Sequence, residues 1–133
     1  MFKYSIDTLI SKENIEKKVK EIAEKIDKDF EGEEILLIGL LRGSVIFLSD
    51  LARELKSEAT IDFMVVSSYG NKMESSRDVK ILKDLEEDIE GRNVIIVEDI
   101  IDTGNTLLKV QQILQTRDPK SIRICTLLDK PDR

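Results

Sequence analysis

No histidine occurs anywhere in the 133 residues. That absence excludes Ser-His-Asp and Cys-His nucleophilic catalysis and histidine-ligated zinc, because each needs an imidazole as base or ligand. Tryptophan is missing too, and the single cysteine, Cys125, has no partner for an internal disulfide. A reducing cytoplasm is therefore the expected setting. No apolar run approaches the ~20 residues that span a bilayer. The opening stretch, MFKYSIDTLI, lacks the charged start, long apolar core and small-residue cleavage site of a secretory signal. No membrane partner is expected. Basic patches are also lacking: 21 Lys and Arg are scattered among 27 Asp and Glu, for a net charge of −6. Phosphate backbones are held by basic clusters, so no nucleic-acid surface is expected. A small phosphorylated ligand remains compatible with an acidic chain, where backbone N–H groups and a metal ion supply the attraction.

What is present is a folded composition, with 41% hydrophobic and 36% charged residues and only two prolines. The length suits one domain over residues 1–133. Ile15, Val19, Ile22, Ile26 and Phe30 recur at steps of three and four, which predicts a helix over 12–30 with Ser11 as N-cap and Gly32 as stop. EILLIGL (34–40) is a short continuous apolar run, the pattern of a strand covered on both faces. A helix over 43–55 would bury Val45, Leu48, Leu51 and Leu55, and TIDFMVV (60–66) reads as a second strand. The polar stretch 67–78 reads as a long loop, 79–82 as a short strand and 85–91 as one polar turn ending at Gly91. NVIIVE (93–98) predicts a third buried strand. A helix follows over 104–117 with Leu107, Val110, Ile113 and Leu114 inward, then a last strand over 121–129 opened by Asp118-Pro119. Strands and helices alternating over short connections imply an α/β fold with a mostly parallel central sheet flanked by helices.

One segment does not serve folding. VIIVEDIIDTGNTL (94–107) sets Glu98, Asp99 and Asp102 at the end of a buried strand, where they repel one another. In open parallel sheets ligands bind beyond the carboxyl ends of the strands. Gly104 permits a tight turn, the following N–H groups converge at a helix start, and Thr103 and Thr106 add hydroxyls; together they suit a phosphate. The acids suit ribose hydroxyls, Mg²⁺ or a developing cation. A ribose phosphate reactive at its anomeric carbon uses both halves, with the carboxylates stabilising positive charge as the leaving group departs. Other phosphate ligands fit the same residues. The plain alternative is acids decorating a helix N-terminus, each worth ~0.3–1 kcal/mol.

VIIVEDIIDTGNTL resembles the phosphoribosyl pyrophosphate signature of type I phosphoribosyltransferases, in which an apolar strand runs into two acids and a Thr-Gly turn. An acid at Asp102 is similar to the hypoxanthine-guanine branch; adenine and orotate enzymes tend to carry Ala or Thr there. The likeness covers nearly the whole chain. IGLLRGSVIFLSDLARE (38–54) is similar to the family's pyrophosphate loop, in which Leu41, Arg42 and Gly43 would offer backbone N–H groups to the diphosphate and a non-proline cis peptide is common. Without the acidic motif, Arg42-Gly43 is equally an ordinary strand-to-helix turn. SSYGNKMESSRDVKI (67–81) resembles the flexible loop, with Ser68-Tyr69 as its Ser-Tyr pair, although a solvated hairpin loop fits the same residues. Lys130 matches the lysine that contacts the purine 6-oxo group; as a donor only, it would favour 6-oxopurines over 6-aminopurines.

The resemblance implies transfer of a 5-phosphoribosyl group from phosphoribosyl pyrophosphate to hypoxanthine or guanine, releasing pyrophosphate. Glu98 and Asp99 would hold the ribose and Mg²⁺, directly or through water, and Thr103, Gly104, Asn105 and Thr106 would hold the 5′-phosphate. Asp102 would face purine N7 as general base or hydrogen-bond acceptor. Some relatives carry lysine where Asn105 stands. Family chains continue for a few dozen residues that complete a hood over the base, whereas this sequence ends at Arg133; the expectation is a truncated form lacking the hood and its stacking aromatic. The purine half would then rest on Asp102 and Lys130, and apolar surface left bare would favour a homo-oligomer, dimer or tetramer. Two rival readings share the fold. One is a phosphoribosyl pyrophosphate-binding module without turnover. The other is an RNA-binding attenuation regulator, which predicts a basic face and tends to carry an aromatic where Asp102 stands.

Overall fold

The computed structural model describes residues 12–69, 78–101 and 105–129. Helix α1 spans Lys12–Asp29 and buries Val19, Ala23 and Ile26 in one stripe. Phe30 is buried directly after it, and Gly32, at φ +78°, takes the left-handed conformation that ends the helix. Ser11, the expected N-cap, lies outside the described residues.

Five strands and two further helices follow: β1 Ile35–Leu40, α2 Val45–Glu54, β2 Ala59–Tyr69, β3 Asp78–Lys83, β4 Asn93–Ile101, α3 Asn105–Gln115 and β5 Ser121–Asp129. The sheet order is β3-β2-β1-β4-β5. Neighbours run parallel except β2 and β3, which pair antiparallel. Every residue of β1 is buried, as its unbroken apolar run predicts for a central parallel strand. The two-residue period sorts its side chains. Ile35 and Leu37, with Ile95 and Val97 of β4, pack under α1 and α2; Leu36, Ile38 and Leu40, with Val94 and Ile96, pack under α3. Each such side chain contributes ~1.5–3 kcal/mol of burial.

From β1 the chain crosses to β2 on one side, and from β4 to β5 on the other. Strands β1 and β4 are therefore neighbours where the winding reverses, the point at which open α/β sheets form a crevice beyond their carboxyl ends.

Several expected boundaries move. Strand β4 continues past its expected end at Glu98 through Ile101, so Asp99 belongs to the strand rather than following it; β5 supplies the pairing, with Glu98 opposite Thr126 and Ile101 opposite Asp129. The predicted loop over 67–78 is shorter, because Ser67–Tyr69 extend β2 and pair with Asp78–Lys80. Helix α2 starts at Val45, not at 43, and this later start turns Phe47 inward and leaves Val45 39% exposed. Helix α3 ends at Gln115. The 85–91 turn, expected to be polar, buries Ile89 in the same cluster as Leu36 and Val94 and packs Leu85 against it.

That turn is held by Asp62 of β2, a buried carboxylate. Its Oδ2 accepts the backbone N–H groups of Glu86 at 2.9 Å and Glu87 at 2.8 Å, and its Oδ1 accepts that of Phe63 at 2.8 Å. At the opposite end of the sheet, buried Asn93 donates to Glu33 Oε1 at 3.1 Å and accepts from the Ser121 hydroxyl at 2.8 Å.

Candidate active site

The segment between β1 and α2 is drawn tightly against the sheet. A side chain on Gly39 would put its Cβ 2.7 Å from Leu48 Cδ2 and 3.2 Å from Phe63 Cδ1, so the bare backbone there lets α2 seat on the end of β1. Ser44 is wholly buried and donates its hydroxyl back to the Leu40 carbonyl at 2.7 Å, rather than capping α2. The Leu41 N–H bonds to the Met64 carbonyl at 2.9 Å. Between these ties the Leu41-Arg42 peptide is cis, as the resemblance implied.

This loop meets the acidic strand. A Cβ on Gly43 would lie 3.4 Å from Asp99 Oδ1 and 3.5 Å from Glu98 Oε1. Residues 56 apart in sequence (99 − 43) are thus joined by the adjacency of β1 and β4. The Glu98 carboxyl also accepts the Asp99 backbone N–H at 3.1 Å. Half-burial disfavours its charged form, and the neighbouring Asp99 carboxyl adds a hydrogen bond and repulsion in the same direction. Together these raise its pKa from the ordinary 4.5 to about 7, outweighing the backbone N–H.

A stability signature follows. Since the folded protein holds this proton more tightly than the unfolded chain, folding takes up a proton between those two pKa values, and stability falls as pH rises through that window. Below it both states are protonated; above it both are ionised and the whole penalty is in place. Without added metal, Glu98→Gln is expected to gain stability relative to the parent progressively from pH 4.5 to about 7. Urea denaturation at several pH values measures this, and a difference constant with pH would assign the proton uptake elsewhere.

The N-terminus of α3 is approached by the β2–β3 hairpin. A register shift between Val65 and Val66 leaves Leu82 as the extra residue of a bulge, and such bulges bend and twist the strand that carries them. Val66, Val79 and Ile81 pack with Leu107 and Val110 of α3. Two residues beyond Val66 on the same face, Ser68 Oγ lies 2.6 Å from Thr106 Oγ1 in the first turn of α3.

The structure thus brings Gly43 to Glu98 and Asp99, and Ser68 to Thr106. Leu41 and Arg42 form the cis peptide, Tyr69 closes β2 and Asn105 opens α3. Asp102, Thr103, Gly104 and Lys130 lie outside the described residues. Sequence reasoning missed Gly39 and Ser44, whose signal was the run of small residues bracketing the Leu41–Gly43 turn. Among the described residues no group of three or more His, Cys, Asp or Glu is placed to hold a metal ion, and Glu98 and Asp99 offer a pair of carboxylates only. A pair fits Mg²⁺, a hard cation that keeps several waters and takes one or two carboxylates plus substrate oxygens. No described helix is long and apolar enough to cross a membrane.

The Phosphoribosyl transferase domain model matches residues 5–133. The chain is 52% identical over 133 residues to the hypoxanthine phosphoribosyltransferase of Salmonella typhimurium, covering 98% of this chain and 75% of that protein. A hypoxanthine-guanine phosphoribosyltransferase structure from Bacillus anthracis superposes with a TM-score of 0.91 at 52% identity, covering 96% of this chain and 76% of that one. A hypoxanthine phosphoribosyltransferase structure from Staphylococcus aureus gives 0.91 at 42% identity, covering 96% and 69%. With the Leu41–Gly43 loop seated beside the acidic end of β4 in the same fold, the chain belongs to the phosphoribosyltransferase family, in its hypoxanthine-guanine branch.

Proposed function

We propose that the protein is a purine-salvage glycosyltransferase that moves the 5-phosphoribosyl group of phosphoribosyl pyrophosphate onto hypoxanthine or guanine and releases pyrophosphate. The observation that carries this reading is the contact of Gly43 with Glu98 and Asp99. The closeness of the Leu41–Gly43 loop to the Glu98 and Asp99 carboxylates supports a shared crevice in which the loop would meet the diphosphate and the acids the sugar. The Arg42 and Gly43 N–H groups would receive the diphosphate as it departs; the Leu41 N–H, expected to join them, is instead donated to the Met64 carbonyl. Glu98 and Asp99 would hold the ribose hydroxyls and stabilise positive charge growing at the anomeric carbon, an oxyanion hole with the sign reversed. Thr103–Thr106 would fix the 5′-phosphate, Asp102 would take the proton from the attacking purine nitrogen's ring, and Lys130 would donate to the 6-oxo group. Mg²⁺, held by Glu98 and Asp99 directly or through water, would neutralise charge on the diphosphate.

A homo-oligomer, dimer or tetramer, belongs to this proposal. Ile46, 72% exposed beside Val45 in the first turn of α2, gives it apolar surface next to the site. A cytoplasmic setting suits Cys125, whose thiol burial pushes up to about 11 and so keeps in the unreactive protonated form.

Product formation with phosphoribosyl pyrophosphate, Mg²⁺ and each of hypoxanthine, guanine, xanthine and adenine tests the reading. Nucleotide from 6-oxopurines but not from adenine is expected. Binding of phosphoribosyl pyrophosphate with no product from any base would replace the enzyme by a binding module.

A further inference from the structure

We infer that Ser68 is a positioning residue for the phosphate-holding hydroxyl of Thr106. The inference rests on the proposed phosphoribosyl reading and assigns the Ser68 hydroxyl a role through Thr106. The observation is the 2.6 Å contact between Ser68 Oγ and Thr106 Oγ1, made between the end of β2 and the first turn of α3, 38 residues apart in sequence.

The chemistry of two hydroxyls gives this contact a direction once an anion is present. Each hydroxyl has one proton to donate and two lone pairs to accept with. With no ligand, either oxygen can be the donor. A phosphate at the N-terminus of α3 is an acceptor, so Thr106 must turn its only proton toward it. Ser68 then donates to the Thr106 oxygen, and the bonds form one chain from Ser68 through Thr106 to the phosphate. Each bond in such a chain polarises the next. Ser68 thereby orients the Thr106 hydroxyl and strengthens its donation without touching the ligand.

The hairpin gives this chain a rigid base. Ser68 is paired to Val79 in the β2–β3 ladder, and Val66, Val79 and Ile81 are packed on α3 below it. The bulge at Leu82 bends the hairpin on that side of the sheet. Ser68 is exposed, so its hydroxyl is not needed to satisfy a buried group and folding alone does not account for it.

Ribose 5-phosphate, which carries the phosphate without the diphosphate, is the probe. Its dissociation constant is measured by calorimetry for the parent, Ser68→Ala, Ser68→Thr, Thr106→Val and the Ser68→Ala/Thr106→Val double variant, with thermal midpoints taken alongside. A hydrogen bond to a charged chain predicts roughly three- to tenfold weaker binding in Ser68→Ala, with KM for phosphoribosyl pyrophosphate rising in step and kcat nearly unchanged. Ser68→Thr restores the hydroxyl on a strand that favours a β-branched residue and is expected within about twofold of the parent. In the Thr106→Val background Ser68→Ala is expected to add nothing. Equal losses in Ser68→Ala and Ser68→Thr, or a full additional loss in the double variant, would overturn the positioning role. Failure of the parent itself to bind ribose 5-phosphate and phosphoribosyl pyrophosphate would instead overturn the phosphoribosyl reading, and this inference with it.

Discussion

Asp102→Asn is expected to lower kcat by about 10²–10⁴-fold while KM for phosphoribosyl pyrophosphate and for hypoxanthine stay within a fewfold of the parent. Asparagine matches aspartate in shape and keeps a carbonyl acceptor, but it does not accept a proton at neutral pH. The variant therefore separates holding the purine from deprotonating it. In the sequence Asp102 follows directly on Ile101, the last residue of β4, the strand that carries Glu98 and Asp99. Steady-state kinetics with each substrate varied in turn make the measurement. Equal loss in kcat and in both binding terms would reassign Asp102 from proton acceptor to a binding contact. An effect below about tenfold would mean that water takes the proton unaided.

Asp62→Ala is expected to cost about 3 kcal/mol or more of folding stability, a large part of the 5–15 kcal/mol typical of a domain. One carboxylate, only 6% exposed, accepts three backbone N–H groups, two of them from a turn 24 and 25 residues away. Removing it leaves those donors without a partner, at ~1–3 kcal/mol for each that water does not reach. Asp62→Asn retains one acceptor oxygen and is expected to lose less. Urea denaturation read at constant slope measures both. A loss under about 1 kcal/mol for the alanine variant would mean that solvent enters beneath the 84–92 turn and replaces the carboxylate.

Much of this architecture was readable because buried parallel strands are written as unbroken apolar runs and amphipathic helices as a repeat of three and four. β1 and α1 illustrate each case. The acids at 98 and 99 were equally readable, since a carboxylate pair ending an apolar run has no folding rationale. What escaped was decided by partners distant in sequence. Strand β2 runs on through Ser67–Tyr69 because β3 pairs with it, and β4 runs on through Asp99–Ile101 beside β5; neither extension is marked by hydrophobicity. The role of Asp62 was not legible, because nothing near it in the chain reveals the two N–H groups that descend on it from Glu86 and Glu87. Phe47 rather than Val45 faces the core because α2 begins after Ser44, whose hydroxyl turns back to Leu40.

The seating of Gly43 against Glu98 and Asp99 has a thermodynamic consequence for the whole chain. The loop and the acids belong to separate strand–helix units, brought together only when β1 lies beside β4, with Ile35 opposite Asn93. An unfolded or half-assembled chain holds each piece and lacks the cleft between them. Whatever occupies that cleft binds the assembled sheet alone, and by mass action it stabilises folding by RT ln(1 + [L]/Kd), about 2.7 kcal/mol at a hundredfold excess over Kd. Thermal midpoint and resistance to proteolysis are therefore expected to rise together with the concentration of the cleft's ligand.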